Sequence, residues 1–238
     1  MKVFIQSIVA QILLNPYIFW RGYQAIPPQK SWRIPYVLFF ILELSLFFFG
    51  FTFRNVLPDS VMIAIQYICN TWYIASIYIT LSLLVLEVLR LSNRFFHWFP
   101  GWMTGHWKQT KLTLFFLIIA IVTGLMFHAY HVVAYPIVKD VYVTLPKGSS
   151  ERDSMTIVMM SDLHIGEMIG KELVQRYVKM SNEQHPDMVV LVGDIMDYES
   201  RFAEKAHIEE DLKQLKAPLG VYVVYGNHEY RANRIAKY

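Results

Sequence analysis

Ser161-Asp162-Leu163-His164, Gly193-Asp194-Ile195-Met196-Asp197 and Gly226-Asn227-His228-Glu229 each directly follow a short apolar run: Met155 to Met160, Met188 to Val192 and Val221 to Tyr225. Short apolar runs bounded by turn residues read as buried strands. Acids, amides and imidazoles at successive strand ends are how an open α/β sheet builds a site. Between the runs, Lys171 to Asn182 places Leu173, Val174, Tyr177 and Val178 on one helix face, and Pro186 stops it. Ile208, Leu212 and Leu215 form the stripe of a second helix, ended by Pro218 and Gly220. Val141 to Leu145 alternates as a strand, and Pro146 to Asp153 supplies a polar turn, which predicts a hairpin with the Met155 run. The expected order is β-β-α-β-α-β.

Upstream of this segment the chain changes character. The 238 residues are 55% hydrophobic and 16% aromatic, against about 45–50% apolar in ordinary soluble domains. The excess lies before about Tyr135, where acids are few, whereas from Lys139 onward the composition is that of a soluble domain. The sequence therefore predicts a membrane region over 1–135, a linker over 136–140 and a soluble domain over 141–238. A spanning helix needs roughly 20 mostly apolar residues, and Tyr36–Phe53, Val61–Leu89 and Leu112–Val133 meet that test. Val3–Trp20 is taken as a fourth span although Gln6, Gln11 and Asn15 interrupt it. A cleaved signal peptide fits it poorly, because Lys2 is its only n-region base and no small-residue cleavage site follows. The predicted spans are 3–20, 36–53, 61–89 and 112–133, with Trp20, Tyr23, Trp32, Tyr36, Trp98, Trp102 and Trp107 near their ends, where amphipathic rings prefer to lie.

Bases concentrate in two loops, Arg21, Lys30 and Arg33 in one and Arg90, Arg94, Lys108 and Lys111 in the other, while Arg54 is balanced by Asp59. The positive-inside rule puts the two basic loops in the cytoplasm and the C-terminal domain outside it, in the cell membrane of a multi-pass protein. Glu43 and Glu87 are costly within hydrocarbon and hint at functional or interhelical roles, with Arg90 one turn from Glu87 as a ready partner. His128 and His131, at i, i+3, have the spacing of haem or metal ligands. No second His pair stands in the other spans, and interfacial histidines without a redox role are commoner. Cys69 sits in an apolar stretch and reads as a buried structural thiol. The net charge of +3 is spread over loops, so nucleic-acid binding is not expected.

The chemistry lies in the three strings. In an extended strand end, residues two apart point to the same side, so Asp162 and His164 can both reach one cation. Asp194 follows Gly193, whose missing side chain lets a backbone or an ion come close. A carboxylate there can bridge two cations, and Asn227 can offer an amide oxygen to the second. Mixed carboxylate, imidazole and amide ligation suits Mn, Fe or Zn. Two cations about 4 Å apart generate a hydroxide nucleophile and clamp the oxygens of an in-line phosphoryl displacement, and His228 stands near the leaving group as an acid. A lone Asp-x-His or Gly-Asp is commonplace; three such strings in order, separated by helix-patterned segments, are not.

From about Val141 onward the chain resembles the N-terminal half of the calcineurin-like metallophosphoesterase domain, whose pattern is D-x-H, G-D-x-x-D, G-N-H-E, a later His, and G-H-x-H. The resemblance implies an α/β metallophosphoesterase-like sandwich after a multi-span α-helical membrane region. It also implies that Asp162 and His164 hold the first of two divalent metals, Asp194 bridges, Asn227 holds the second, and His228 assists the leaving group. Asp197 and Glu229 are expected to orient His or backbone groups. The membrane region is similar, more loosely, to that on some bacterial members. The later His and the G-H-x-H string do not occur in this sequence, so the expected catalytic domain is truncated, and incomplete or inactive. The leading reading is a membrane-anchored metal-dependent phosphoesterase acting on a phosphomonoester or phosphodiester, lipid-linked, from the cell envelope or water-soluble. The alternative is a non-catalytic membrane protein whose soluble part binds a partner or one metal.

Overall fold

The computed structural model describes residues 2–53, 56–146, 148, 152–166, 168–197 and 201–231. Arg54 and much of the predicted turn from Pro146 to Asp153 lie outside them. The chain divides into two compact units, Met1–Val132 and Val133–Tyr238.

The first unit is helical: α1 (Lys2–Ala25), α2 (Lys30–Thr52), α3 (Asp59–Phe96), the short α4 (Gly101–Gly105) and α5 (Trp107–Ala134). By length and composition α2, α3 and α5 can each cross a bilayer. They run past the apolar stretches seen in sequence, because their polar ends continue the helical hydrogen bonding beyond the hydrocarbon. Leu38, Ile41, Leu42, Leu81, Val85 and Phe127 are exposed on their outer faces, the surface expected where lipid is the solvent. Gly22 of α1 lets Tyr36 of α2 come close, since a Cβ there would meet the Tyr36 hydroxyl at 2.1 Å. That hydroxyl donates to the Ile18 and Phe19 carbonyls.

A polar knot ties the first three long helices. Gln11 Nε2 and Asn15 Nδ2 donate to the two carboxylate oxygens of Glu43 at 2.7 and 2.8 Å. Asn15 Nδ2 also donates to Gln11 Oε1, and Trp72 Nε1 donates to Asn15 Oδ1 at 3.0 Å. Gln11, Asn15 and Glu43 are all buried. The amides that interrupt the first apolar stretch thus satisfy the carboxylate of the second, so Glu43 has an interhelical role. Glu87 pairs chiefly with Arg21 of α1, and Arg90 stands farther off at 4.0 Å. Cys69 is buried, while His128 and His131 lie exposed on α5.

The second unit holds a parallel sheet of β1 (Ile157–Ser161), β2 (Met188–Val192) and β3 (Val221–Val224), in that order, with α6 (Lys171–Glu183), α7 (Arg201–Lys205), α8 (Ile208–Leu212) and α9 (Asn227–Arg231). Val158 pairs in register with Val189, and Met160 with Leu191. These residues point to the face where Val174 and Val178 of α6 and Ile208 of α8 complete one core with Ile165, Ala203 and Leu215. Crossovers of one hand place both helices on that side. The opposite face, with Ile157, Met159, Val192 and Val224, is exposed.

The hairpin expected at Val141–Leu145 does not form. Among the described residues that segment has no strand partner, and Tyr142 is 92% exposed. Alternation alone does not make a strand where no ladder satisfies its backbone. The described order is β-α-β-α-α-β-α: the helix predicted on Ile208, Leu212 and Leu215 is α8, ending at Leu212, and a short α7 not foreseen in the sequence precedes it, separated by a turn at Ala206 and His207.

Ile208 is 1% exposed at the centre of this core. Ile208→Ala should cost the second unit about 2–5 kcal/mol. Amide hydrogen exchange of β1 and β2 in the full chain should accelerate accordingly, and unchanged protection would show that the core lies elsewhere.

Candidate metal centre

Parallel strands end at one edge, and here each end carries one of the polar strings. Pairing persists beyond the strands: Asp162 N–H donates to the Gly193 carbonyl at 3.2 Å, His164 N–H to Asp194 O at 2.9 Å, and Gly193 N–H to Val224 O at 3.0 Å. The chain is nevertheless not extended there. Asp162, His164 and Asp194 adopt left-handed φ angles of 53°, 45° and 49°. The strand alternation expected to align Asp162 with His164 is therefore replaced by successive sharp turns. Asp and His tolerate that region better than most residues, yet each such position costs energy and is held only when its surroundings fix it.

The turns bring the side chains together. His164 Nε2 lies 4.0 Å from Asp162 Oδ1 and 4.0 Å from Asp194 Oδ2. One ligand atom from each of His164, Asp194 and His228 falls within 4.8 Å of the others. The His164 and His228 rings meet edge to face at 4.5 Å. Ligand atoms ~2.0–2.2 Å from a cation can stand at most about 4.4 Å apart across it, so the 4.0 Å separations fit one ion between these groups. The geometric trio includes His228, which the sequence pattern assigns to the leaving group, whereas Asp162 sits at the rim with 68% of its side chain exposed.

Asp194 is the centre of the cluster. It is buried, its Oδ1 accepts the His228 N–H at 2.8 Å, and its Oδ2 accepts Asn227 Nδ2 at 3.2 Å. In this arrangement Asn227 is a donor to Asp194; serving a cation requires turning its amide oxygen inward. Asp197 Oδ1 lies 3.4 Å from His228 Nδ1, which favours a proton on that nitrogen and leaves Nε2 to act.

Glu229 serves the backbone. Its Oε2 accepts the N–H groups of Asp194 and Gly226 at 2.9 and 2.8 Å, and its Oε1 those of Ile195 and Met196 at 2.8 and 3.2 Å. Burial pushes the Glu229 carboxyl up, but the backbone donors, Gly226 first, outweigh it and hold the group below its ordinary value. Its stabilisation is present above the unfolded-state pKa and is lost as the pH falls through the lowered folded value.

Gly226 is a position that motif reading alone undervalues. A Cβ there would meet Asp194 Oδ1 at 2.2 Å, and one on Gly193 would meet Gly226 Cα at 2.8 Å. The two glycines pack back to back and let the second and third strings touch. The sequence signal was a glycine opening the second and third strings, but only the structure shows that the two face each other.

Residues 155–238 match the family model of calcineurin-like phosphoesterases. The chain is 30% identical over 237 residues to a transmembrane protein with metallophosphoesterase domain from Danio rerio, an alignment covering 95% of this chain and 53% of that one. A protein of the same description from Bos taurus is 27% identical over 216 residues, covering 88% and 46%. An uncharacterized metallophosphoesterase of Bacillus subtilis is 31% identical over 86 residues, 36% of this chain and 30% of its own. The chain thus spans about half the length of the first two relatives, and those alignments take in its membrane region as well as its sheet. No solved structure matches.

Glu229→Gln replaces one carboxylate oxygen by an NH2 that must face two backbone N–H donors. We expect a loss of about 2–3 kcal/mol, read by thermal unfolding of the full chain, with the Asp194 and Gly226 amides exchanging faster. Equal stability of the variant would mean that this carboxylate does not hold the two strings together.

Proposed function

Because residues 155–238 belong to the calcineurin-like phosphoesterases, on a chain whose helices can cross a membrane, we propose that it is a membrane-anchored, metal-dependent hydrolase of phosphomonoesters or phosphodiesters. The observation that carries this reading is the convergence of His164, Asp194 and His228 at the edge of the sheet. The family implies divalent metals. A carboxylate, imidazole and amide donor set suits Mn, Fe or Zn. Asp162, His164 and Asp194 would hold the first ion, and Asp194 with Asn227 would face the second. When bound, such ions supply Lewis acidity and lower the pKa of water.

The remaining work falls to the chain. Asp194, fixed by the His228 N–H, presents charge without needing to be ordered first. His228, with Nδ1 facing Asp197, would act as acid in its doubly protonated form, passing the Nε2 proton to the departing alkoxide and keeping the Nδ1 proton toward Asp197. Glu229 keeps the two strings in register. In this reading residues 1–135 form a four-span membrane region that includes α1, 136–140 a linker, and 141–238 part of the catalytic domain. Tethering at the bilayer favours a lipid-linked or cell-envelope phosphoester. The bases at Arg21 to Arg33 and Arg90 to Lys111 put the catalytic domain outside the cytoplasm in the cell membrane.

Mn²⁺ titrated into the full chain in detergent should give one binding event of modest affinity, and Asp194→Asn should remove most of it. Two equally tight sites would contradict the assignment of three ligands to the first ion and only Asp194 and Asn227 to the second. Hydrolysis of an aryl phosphodiester that requires Mn²⁺ and falls roughly 100-fold or more in Asp194→Asn supports catalysis; metal binding without turnover identifies a non-catalytic metal-binding protein instead.

An export-dependent reporter fused after Tyr238 should be active. Activity of a cytoplasm-only reporter at the same position would reverse the orientation.

A further inference from the structure

The helical unit encloses a cleft of about 1100 Å³ bounded by α1, α2, α3 and α5 and the loop before α5. Its two ends differ in chemistry. At one end stand Arg21, Arg90 and Lys111 with Trp98 and Trp107. At the other it is walled by Trp72, Ala75, Ile79, Val122 and Met126. No carboxylate is among the lining residues. The nearby Glu87 engages Arg21 and stands 4.0 Å from Arg90, so those two cations share one acid. Lys111 Nζ donates to the Gln24 carbonyl at 3.3 Å. Arg90 lies 6.0 Å from the Trp107 ring centroid.

The cleft also has the dimensions of one leaflet. From Lys111 to Met126 it follows α5 for about 22 Å at 1.5 Å per residue, and one leaflet with its headgroups measures ~20–22 Å. A cationic, tryptophan-flanked mouth over an apolar channel is matched by an anionic head on an acyl tail. The geometry points to a site for one anionic glycerophospholipid, its phosphate between Arg90 and Lys111 and an acyl chain running past Ala75 toward Met126. An uncharged ligand would leave the cations in excess, and a free phosphate would leave the apolar channel unfilled. The site lies wholly within the helical unit and is independent of phosphoester hydrolysis.

The test uses the full chain in nanodiscs of equal phosphatidylcholine and phosphatidylglycerol, with native mass spectrometry of the lipid retained on release. Phosphatidylglycerol should be kept over phosphatidylcholine by roughly tenfold or more, as two bases facing one phosphate would give, at one molecule per chain. The Arg90→Gln/Lys111→Gln double variant should bring that ratio close to unity, and Arg90→Lys/Lys111→Arg should restore it. Ala75→Phe, which fills the tail channel, should lower total retained lipid. On the unmodified chain, raising the salt during competition between the two lipids should erode the preference. Equal retention of both lipids, a preference that the double Gln variant leaves intact, or inorganic phosphate displacing the lipid at millimolar concentration would each overturn the proposal.

Discussion

A carboxylate that never faces the candidate metal site sets its shape. Past the end of β2 the N–H groups of Asp194, Ile195 and Met196 have no strand to pair with, and Glu229 of α9 accepts all three together with Gly226 N–H. The exchange is reciprocal, because Asp194 accepts the N–H of His228. Each string thus uses an acid to bind the other's backbone. Charge-assisted bonds of this kind are roughly twice as strong as neutral ones, and here they also dictate where Asp194 and His228 sit. Gly193 and Gly226 make the exchange possible, since any side chain on either would force the two turns apart.

The sheet was legible because its runs are bounded on both sides: β2 occupies Met188–Val192 and α6 begins at Lys171, as the pattern of apolar residues and Pro186 requires. Val141–Leu145 shows the limit of the same reasoning. Its alternation is as regular as any in the chain, yet a strand exists only where a neighbour completes its hydrogen bonds, and among the described residues none pairs with Val143, which is 75% exposed. The left-handed turns at Asp162, His164 and Asp194 were illegible for another reason. Residue type permits that conformation but does not demand it, and what demands it is pairing with chain thirty residues away.

In the membrane region the error of sequence reading has the opposite sign. Gln11 and Asn15 look like defects in an apolar helix until Glu43, on the next helix, is seen between them. A polar residue in hydrocarbon is expensive alone and tolerable in company. Glu87 teaches the same lesson: the base one turn away is its distant partner, and Arg21 on another helix is its close one. Hydropathy locates spans, while the pairing of their polar residues determines how spans meet.

The left-handed residues bear on how a cation would bind. Positions of this kind cost of order 1–3 kcal/mol each in general, less for Asp and His, and something must offset that cost. Ile165, fully buried, is the anchor: its N–H donates to Ile195 O, its carbonyl accepts Asp197 N–H, and its side chain sits in the sheet's core. Residues 162–164 are therefore stretched between a strand and a buried plug, so their conformation is set by folding and not by a ligand. Asp194 is likewise fixed by three partners, whereas Asp162 projects into solvent and can adjust. In the proposed reading, a buried, fixed carboxylate beside an exposed one would let an ion enter from solution past the second and be held on the first, with little ordering left to offset when the ion arrives.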